Sequence, residues 1–177
     1  MSELNRRRFL RKSAAVIGSS TTIATIATNQ TTAQSTHEEY EECVERRIHE
    51  QINNIRTERG LQSLGYNNQL GEAADYHSQD MIDKSYFSHT APDGETVGDR
   101  YRKFEISCQA WGENILYNYA SDESAASAAQ TSVEQWMQSD GHRQNILSET
   151  WATEGIGAQV AFDGRLYVTQ NFGAGCR

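Results

Sequence analysis

The sequence predicts an α+β domain in which helices come first and a β-hairpin comes last. Apolar residues recur at helical spacing between residues 40 and 84. Two apolar stretches flank an Asp-Gly dipeptide near the carboxyl end, which is typical of a hairpin. Because the helices precede the hairpin, we expect a small antiparallel sheet covered by helices. We expect residues 40–177 to form one domain with a single core.

The helices follow from the spacing of apolar side chains. The first is predicted from Tyr40 to a stop at Gly60, with its apolar face at Tyr40, Val44, Ile48, Ile52 and Ile55. The second covers about Asn68–Lys84 and carries His77 on its inward stripe. A short helix follows around Val97–Phe104, and a long one is capped by Asp122. A last helical turn or two is predicted from His142 to Leu147.

The strands are predicted where short apolar runs meet turn residues. Gly112–Tyr117 is the first, after a loop that contains the only proline, Pro92. Ile156–Phe162 and Leu166–Phe172 form the terminal hairpin. Asp163-Gly164 between them predicts a two-residue type I′ turn.

The amino-terminal segment has the features of an export signal. Paired arginines are followed by Phe-Leu and basic residues from Arg6 to Lys12, and a short, weakly apolar run comes next. We therefore interpret residues 1–33 as a twin-arginine signal peptide and residues 34–39 as a flexible stem. The alternative is a disordered basic tail. No later segment has the length and apolarity of a membrane span, so we expect a secreted protein.

The remaining chain is strongly acidic. Without residues 1–33 it has 11 Lys and Arg against 23 Asp and Glu, a net charge of −12. This charge argues against nucleic acid and anionic membranes as partners. It matches the solvated acidic surface of halophilic proteins, although an ordinary acidic secreted domain has the same composition. Three cysteines, Cys43, Cys108 and Cys176, allow three alternative disulfide pairings with one thiol left over.

No simple catalytic signature is present in the sequence. It has no Gly-x-Ser-x-Gly elbow, phosphate loop or dinucleotide glycine pattern, and His49-Glu50 lacks the second zinc ligand because residue 53 is Asn. His89, Glu113 and His142 remain as polar residues at a loop, a strand start and a helix break. Two imidazoles and a carboxylate suit a divalent cation, zinc above all. Helix capping or core hydrogen bonding is the alternative role.

Several sequence blocks occur in an order that resembles a known family. They are Leu70–Met81, Phe87-Ser88-His89, Gly112–Ile115, Trp136–Leu147, Gly155-Ile156-Gly157 and Val168–Gly173. Together they resemble the CAP superfamily (cysteine-rich secretory proteins, antigen 5 and plant pathogenesis-related proteins) in its prokaryotic SCP-like branch. The resemblance covers nearly all of residues 44–173. It implies an α-β-α sandwich with a small central antiparallel sheet flanked by helices.

The resemblance also implies a set of site residues. Eukaryotic members of the family have a cleft tetrad of two histidines and two glutamates that can hold a divalent cation. His89, Glu113 and His142 match three of these positions and are our candidate metal ligands. Ser139 lies where the second glutamate would be, so the site is incomplete. Asp140 or a water molecule is a candidate fourth ligand.

Polar and aromatic neighbours have alternative roles. His77 is interpreted as a hydrogen-bonded core histidine rather than a site residue. Asn114 and Gln170 are expected to satisfy buried backbone groups. Trp111 and Trp136 are expected in the core rather than as ligand platforms.

Three functions are consistent with these residues. The first is a non-enzymatic extracellular binding domain whose site holds a divalent cation or a small, lipid-like ligand. The second is a hydrolase in which a histidine is the base, Glu113 orients it or a water, and Ser139 is a candidate nucleophile. The third is a structural domain that contacts envelope components. We expect a monomer whose partner is a small molecule, a lipid or an envelope component.

Overall fold

The computed structural model describes residues 23–119 and 123–177, and residues 35–177 form one compact unit. The helices of the described part are α1 (Ile23–Glu58), α2 (Asn68–Asp83), α3 (Val97–Lys103), α4 (Ala125–Gln138) and α5 (Asp140–Ile146). The strands are β1 (Gly65–Tyr66), β2 (Ala110–Asn118), β3 (Thr153–Val160) and β4 (Leu166–Ala174). The predicted α+β class and the predicted order of elements are confirmed.

The four strands form one sheet in the order β1-β3-β4-β2. Strands β2, β4 and β3 pair antiparallel, as predicted. The two-residue strand β1 adds a parallel edge by pairing Gly65 with Thr153 and Tyr66 with Glu154. The sheet is therefore mixed, because the short connection between α1 and α2 supplies a strand that the sequence pattern does not reveal.

The connection between β3 and β4 differs from the predicted two-residue turn. Residues 161–165 lie between the paired ends, and the Ala161 N–H donates to the Arg165 carbonyl at 2.7 Å. In this connection Gly164 has a φ of +82° but Asp163 does not have a positive φ. A type I′ turn needs positive φ at both central residues, so the Asp-Gly pair belongs to a longer turn.

Helices cover both faces of the sheet. Alternate residues of β2, β3 and β4 pack against α1, α4 and α5, because successive side chains of a strand point to opposite faces. This core comprises Val44, Ile48, Ile52, Leu116, Ala129, Val133, Trp136, Ile146, Ile156, Val168 and Phe172 among others. On the opposite face α2 lies against β3 and β4, where the Ser78 hydroxyl contacts the Thr169 hydroxyl at 2.9 Å. The helix–sheet–helix layering implied by the family resemblance is confirmed.

Helix α2 lies directly against the backbone of β3. A Cβ atom on Gly155 would be 2.1 Å from the Gly71 nitrogen, and one on Gly157 would be 2.0 Å from the Asp75 nitrogen. Both distances are far below any van der Waals contact, so only glycine fits at either position. The two glycines therefore set the distance between the sheet and α2, which carries His77.

Helix α1 begins earlier than predicted. The sequence predicts a flexible stem at residues 34–39, but the backbone is helical there, because no Gly or Pro interrupts the chain between Ile23 and Glu58. The predicted signal peptide falls largely on residues 1–22, outside the described residues, and stays a prediction. The predicted cap Asp122 is also outside them, and Ser124 caps α4 instead. Among the described helices none is long and apolar enough to cross a membrane.

Two glutamates of α1 protect the free edge of β3. Beyond its short pairing with β1, β3 has backbone N–H groups with no neighbouring strand to accept their hydrogen bonds. Ala158 N–H donates to the Glu45 carboxylate at 3.1 Å and Val160 N–H donates to the Glu41 carboxylate at 2.9 Å. Both carboxylates are buried. Side chains of α1 thus replace the missing strand and block edge-to-edge association.

Cys108 and Cys176 form a disulfide and Cys43 is a free thiol, which settles the three pairings left open by the sequence. The bond closes a loop of 68 residues that joins the carboxyl terminus to the segment before β2. Closing such a loop restricts the unfolded chain.

We therefore expect the Cys108→Ala/Cys176→Ala variant to lose about 2–4 kcal/mol of unfolding free energy in urea denaturation. Cys43→Ala, which removes the free thiol, is the control and should change it by less than about 1 kcal/mol. Equal stability of the double variant and the wild type would contradict a stabilising role for the bond.

Candidate functional site

Glu113 is the centre of the candidate site, and its carboxylate is almost completely buried. It lies on β2 opposite Asn171 of β4, on the face that α2 and α3 cover. Its side chain is 2% exposed. His89 Nδ1 lies 2.8 Å from Glu113 Oε1, and Arg100 donates to Glu113 Oε2 at 2.7 Å. Two of the expected site residues are therefore in direct contact.

Arg100 is a site residue that our reading of the sequence missed. Its side chain is fully buried on α3, a helix that begins with a capping box between Thr96 and Asp99. Besides Glu113 it donates to the backbone carbonyl of His89 at 3.0 Å. The sequence feature that could have revealed Arg100 is its position on the inward face of α3, next to Tyr101. Arg100 neutralises Glu113 and fixes the loop that carries His89.

His77, interpreted from the sequence as a core histidine, lies beside Glu113. It is fully buried, as expected for a core histidine, and its Nδ1 lies 3.4 Å from the Tyr86 hydroxyl. Its Nε2 lies 3.8 Å from Glu113 Oε1 and has no hydrogen-bond partner among the described residues. Burial lowers the pKa of His77 to about 4, against the opposing attraction of Glu113, so the ring is neutral at pH 7.

His142 lies at the amino-terminal turn of α5, on the other side of β2. Its backbone carbonyl accepts a hydrogen bond from Asn114 Nδ2 at 3.2 Å. Burial lowers the pKa of its ring, and electrostatic repulsion from the nearby His89 ring lowers it further. Within the described residues, no hydrogen bond joins this ring to Glu113. The structure thus places His142 near His89 but gives only His89 a direct bond to the carboxylate.

Asn114 and Gln170, the two strand amides expected to bond buried backbone groups, have different partners in the structure. Asn114 donates to a backbone group, the partly buried His142 carbonyl. Gln170 instead bonds two side chains, those of Asn114 and Glu154. The prediction for Gln170 was wrong because the strand pairing brings polar side chains from three strands together.

Ser139 occupies the position of the missing glutamate, and Asp140 is the protein's candidate fourth ligand. Ser139 lies between α4 and α5 and makes no side-chain capping bond. Asp140 is 82% exposed and pairs with Arg143 one turn further along α5. Among the described residues, neither side chain forms a hydrogen bond or ion pair with Glu113.

As arranged, the donor set does not fit a divalent cation. Both oxygens of Glu113 already accept hydrogen bonds, and the guanidinium of Arg100 matches its charge. A cation at this carboxylate would have to displace His89 Nδ1 and tolerate a buried positive charge beside it. In the described part of the chain, no group of three or more His, Cys, Asp and Glu side chains is arranged so that it could hold a metal ion.

Exposed aromatic side chains flank Glu113 along the same face of β2. Trp111 is 51% exposed, so the prediction that it lies in the core was wrong, whereas Trp136 is fully buried as predicted. Tyr117 is 40% exposed, and Phe87 packs edge-on against it with ring centroids 5.0 Å apart. Trp111 and Tyr117 lie two and four positions from Glu113, and period-two alternation puts all three on one face. Accessible aromatic rings therefore lie on the same face as the buried carboxylate.

Comparisons with known proteins agree on one family. The model of the CAP family, described as the cysteine-rich secretory protein family, matches residues 49–172. Two Bacillus subtilis (strain 168) proteins, the membrane protein YlbC and YkwD, are each 35% identical, over 72% and 64% of this chain. The crystal structure of an extracellular protein containing a SCP domain from Bacillus anthracis str. Ames has 32% identity and a TM-score of 0.67 over 79% of this chain.

These relatives are considerably longer than the matched region. The chain spans 34% of YlbC, 41% of YkwD and 43% of the Bacillus anthracis protein. The similarity therefore concerns one part of each of these proteins.

Proposed function

The chain belongs to the CAP family of cysteine-rich secretory proteins, and we propose that it is an exported, non-enzymatic binding domain. Its ligand would be a small amphipathic molecule of lipid-like chemistry. The polar part would contact the His89 and His142 rings beside the buried Glu113 carboxylate. We call these three residues, His89, Glu113 and His142, the Glu113 site. The apolar part would lie on the exposed rings beside it.

One observation carries this proposal: a charge-neutralised carboxylate lies next to accessible imidazole and aromatic rings. The Glu113–Arg100 pair leaves little net charge to attract an ion. His89 is 52% exposed and free to bond a ligand through the edge that does not face Glu113. Phe87 and Tyr117 supply apolar surface nearby. Ligand sites commonly combine a few placed polar groups with aromatic walls.

Export is the second part of the proposal. The pattern from Arg6 to Lys12 supports a twin-arginine leader, a route that carries folded proteins. The similar Bacillus anthracis protein is described as extracellular. A folded domain with a net charge of −12 is suited to a salty cytoplasm before export. The Cys108–Cys176 bond would then form after the chain leaves the cytoplasm.

The hydrolase alternative has no geometric support at its candidate nucleophile. A serine nucleophile needs a histidine within hydrogen-bond reach. In the described residues, no hydrogen bond joins the Ser139 hydroxyl to a histidine, and the Glu113 carboxylate is held by Arg100 and His89. We therefore do not propose catalysis.

The binding proposal predicts a histidine-dependent affinity for a single-chain amphiphile. Calorimetric titration of the purified protein with lysophosphatidylcholine, below its critical micelle concentration, should detect binding. His89→Ala and His142→Ala should each weaken it about tenfold, because each removes one polar contact. His37→Ala, which removes an exposed histidine of α1 far along the sequence from the site, is the matched control and should leave the affinity unchanged.

The same proteins titrated with zinc separate the alternatives. We expect zinc to bind weakly and with little dependence on the two histidines. Stoichiometric zinc binding that is lost in both site variants would instead establish the divalent cation. Equal amphiphile affinity in the wild type and all variants would exclude this site and favour a structural domain that contacts envelope components.

A further inference from the structure

A chain of hydrogen-bonded polar side chains crosses the sheet from α1 to α5. His49 Nδ1 lies 2.6 Å from Glu154 Oε1. Gln170 Nε2 donates to Glu154 Oε2 at 2.6 Å, and Asn114 Nδ2 donates to Gln170 Oε1 at 3.0 Å. Asn145 Nδ2 donates to Asn114 Oδ1 at 2.8 Å. The three central side chains belong to β3, β4 and β2 and are fully buried.

The first bonds of the chain have a fixed direction. The Leu64 N–H donates to Asn53 Oδ1 at 2.7 Å, so Asn53 must turn its NH₂ group towards His49 Nε2, 3.3 Å away. His49 Nε2 is therefore the acceptor, and its Nδ1 carries the proton that Glu154 accepts. Gln170 donates to the same carboxylate from the other side. Only a group with two acceptor oxygens satisfies both neighbours.

The far end of the chain reaches the Glu113 site. Asn114 Nδ2 also donates to the backbone carbonyl of His142 at 3.2 Å. Asn145 Nδ2 also donates to the backbone carbonyl of Glu113 at 3.4 Å. These bonds tie α5, which carries His142 and Asn145, to β2, which carries Glu113. The orientation of the Asn114 amide decides whether its Nδ2 can donate to the His142 carbonyl while its Oδ1 accepts from Asn145.

We propose that Glu154 is a positioning residue for the Glu113 site. Its carboxylate fixes the Gln170 amide, which fixes the Asn114 amide, which holds the backbone of α5 at His142. Glu154 itself touches none of the three site residues in this chain of bonds. Its effect on ligand affinity rests on the proposed function, whereas its effect on α5 does not.

The test replaces the carboxylate with a neutral side chain of the same shape. In Glu154→Gln the new side chain can accept a hydrogen bond from only one of its two neighbours, His49 and Gln170. Its NH₂ group then faces the donor of the other. We expect the amide protons of Arg143 on α5 and of Leu147, the residue directly after it, to exchange at least about tenfold faster, because a hydrogen bond to a charged group is lost. Lysophosphatidylcholine affinity should fall by about the same factor.

Two further variants make the test specific. Glu154→Gln/Gln170→Glu exchanges the two side chains, so that His49 donates to residue 154, and residue 154 and Asn114 donate to the carboxylate at 170. This double variant should restore slow amide hydrogen exchange in α5 and the wild-type affinity for lysophosphatidylcholine. Glu45→Gln removes another buried carboxylate beside β3 and is the matched control, with α5 exchange close to wild type.

Hydrogen exchange is measured without ligand, so it separates this inference from the proposed function. Unchanged amide hydrogen exchange in α5 of Glu154→Gln would overturn the positioning role. Two other results would also overturn it: fast α5 hydrogen exchange that persists in the double variant, or an equal acceleration in Glu45→Gln. If the wild type bound no amphiphile but α5 exchange followed the prediction, the positioning role would stand and the proposed function would fail.

Discussion

Replacing Arg100 with methionine should lower the unfolding free energy by about 3–5 kcal/mol, because it leaves a buried carboxylate without its partner. The Arg100 side chain is fully buried and Glu113 is 2% exposed, so solvent cannot take over the lost contact. The substitution also removes the bond to the His89 carbonyl, which holds the loop of that histidine. Urea denaturation measures the loss.

A second variant distinguishes the charge from simple packing. Arg100→Met/Glu113→Met removes both charges and should recover most of the loss, since apolar side chains replace buried ion pairs at little cost. Arg46→Met is the control, because its pair with Glu50 on α1 is about half exposed and should contribute less than about 1 kcal/mol. Stability of Arg100→Met within 1 kcal/mol of wild type would contradict the ion pair as the centre of the site.

Replacing Gly157 with alanine should destabilise the fold by at least about 3 kcal/mol, because the new methyl group would overlap the backbone of α2. A Cβ there lies 2.0 Å from the Asp75 nitrogen and 2.3 Å from the Ala74 carbonyl carbon. Backbone atoms on a packed helix cannot move aside as a flexible side chain would. Helix α2 would have to shift away from the sheet, and thermal unfolding would report the loss.

Gly141→Ala is the matched control for this substitution. It lies on α5, and a Cβ there would meet nothing within 4 Å. Alanine in a helix is favoured over glycine, so this variant should be as stable as the wild type or up to about 1 kcal/mol more stable. If both variants had the same stability, the close approach of α2 to β3 would not be what requires glycine at residue 157.

The periodic parts of the fold could be predicted from the sequence because they depend on neighbours three or four residues apart. The stripes containing Ile48 and Met81 predicted α1 and α2, and both side chains are fully buried. The two-residue strand β1 could not be predicted, because its pairing partner begins at Thr153, far along the chain. The start of α1 was also missed, because residues 23–33 fall within the predicted signal peptide and residues 34–39 carry no periodic apolar positions.

The candidate site could be predicted where polar residues at element boundaries coincide with a family motif. The resemblance supplied His89, Glu113 and His142, and the structure joins the first two directly. Arg100 was missed because burial of a charged residue depends on a partner 13 positions away, which periodicity cannot supply. Glu154 was missed for the same reason, since its partner His49 is 105 positions away.

The central claim is that a small amphipathic ligand binds at the Glu113 site, and chemical-shift mapping tests it most directly. The isotope-labelled protein is titrated with lysophosphatidylcholine below its critical micelle concentration. We predict the largest shifts at His89, His142, Phe87 and Tyr117, and almost none at His37. Shifts confined to residues away from β2 and α5 would contradict the claim. A spectrum that lysophosphatidylcholine leaves unchanged, while zinc shifts the signals of His89 and His142, would also contradict it.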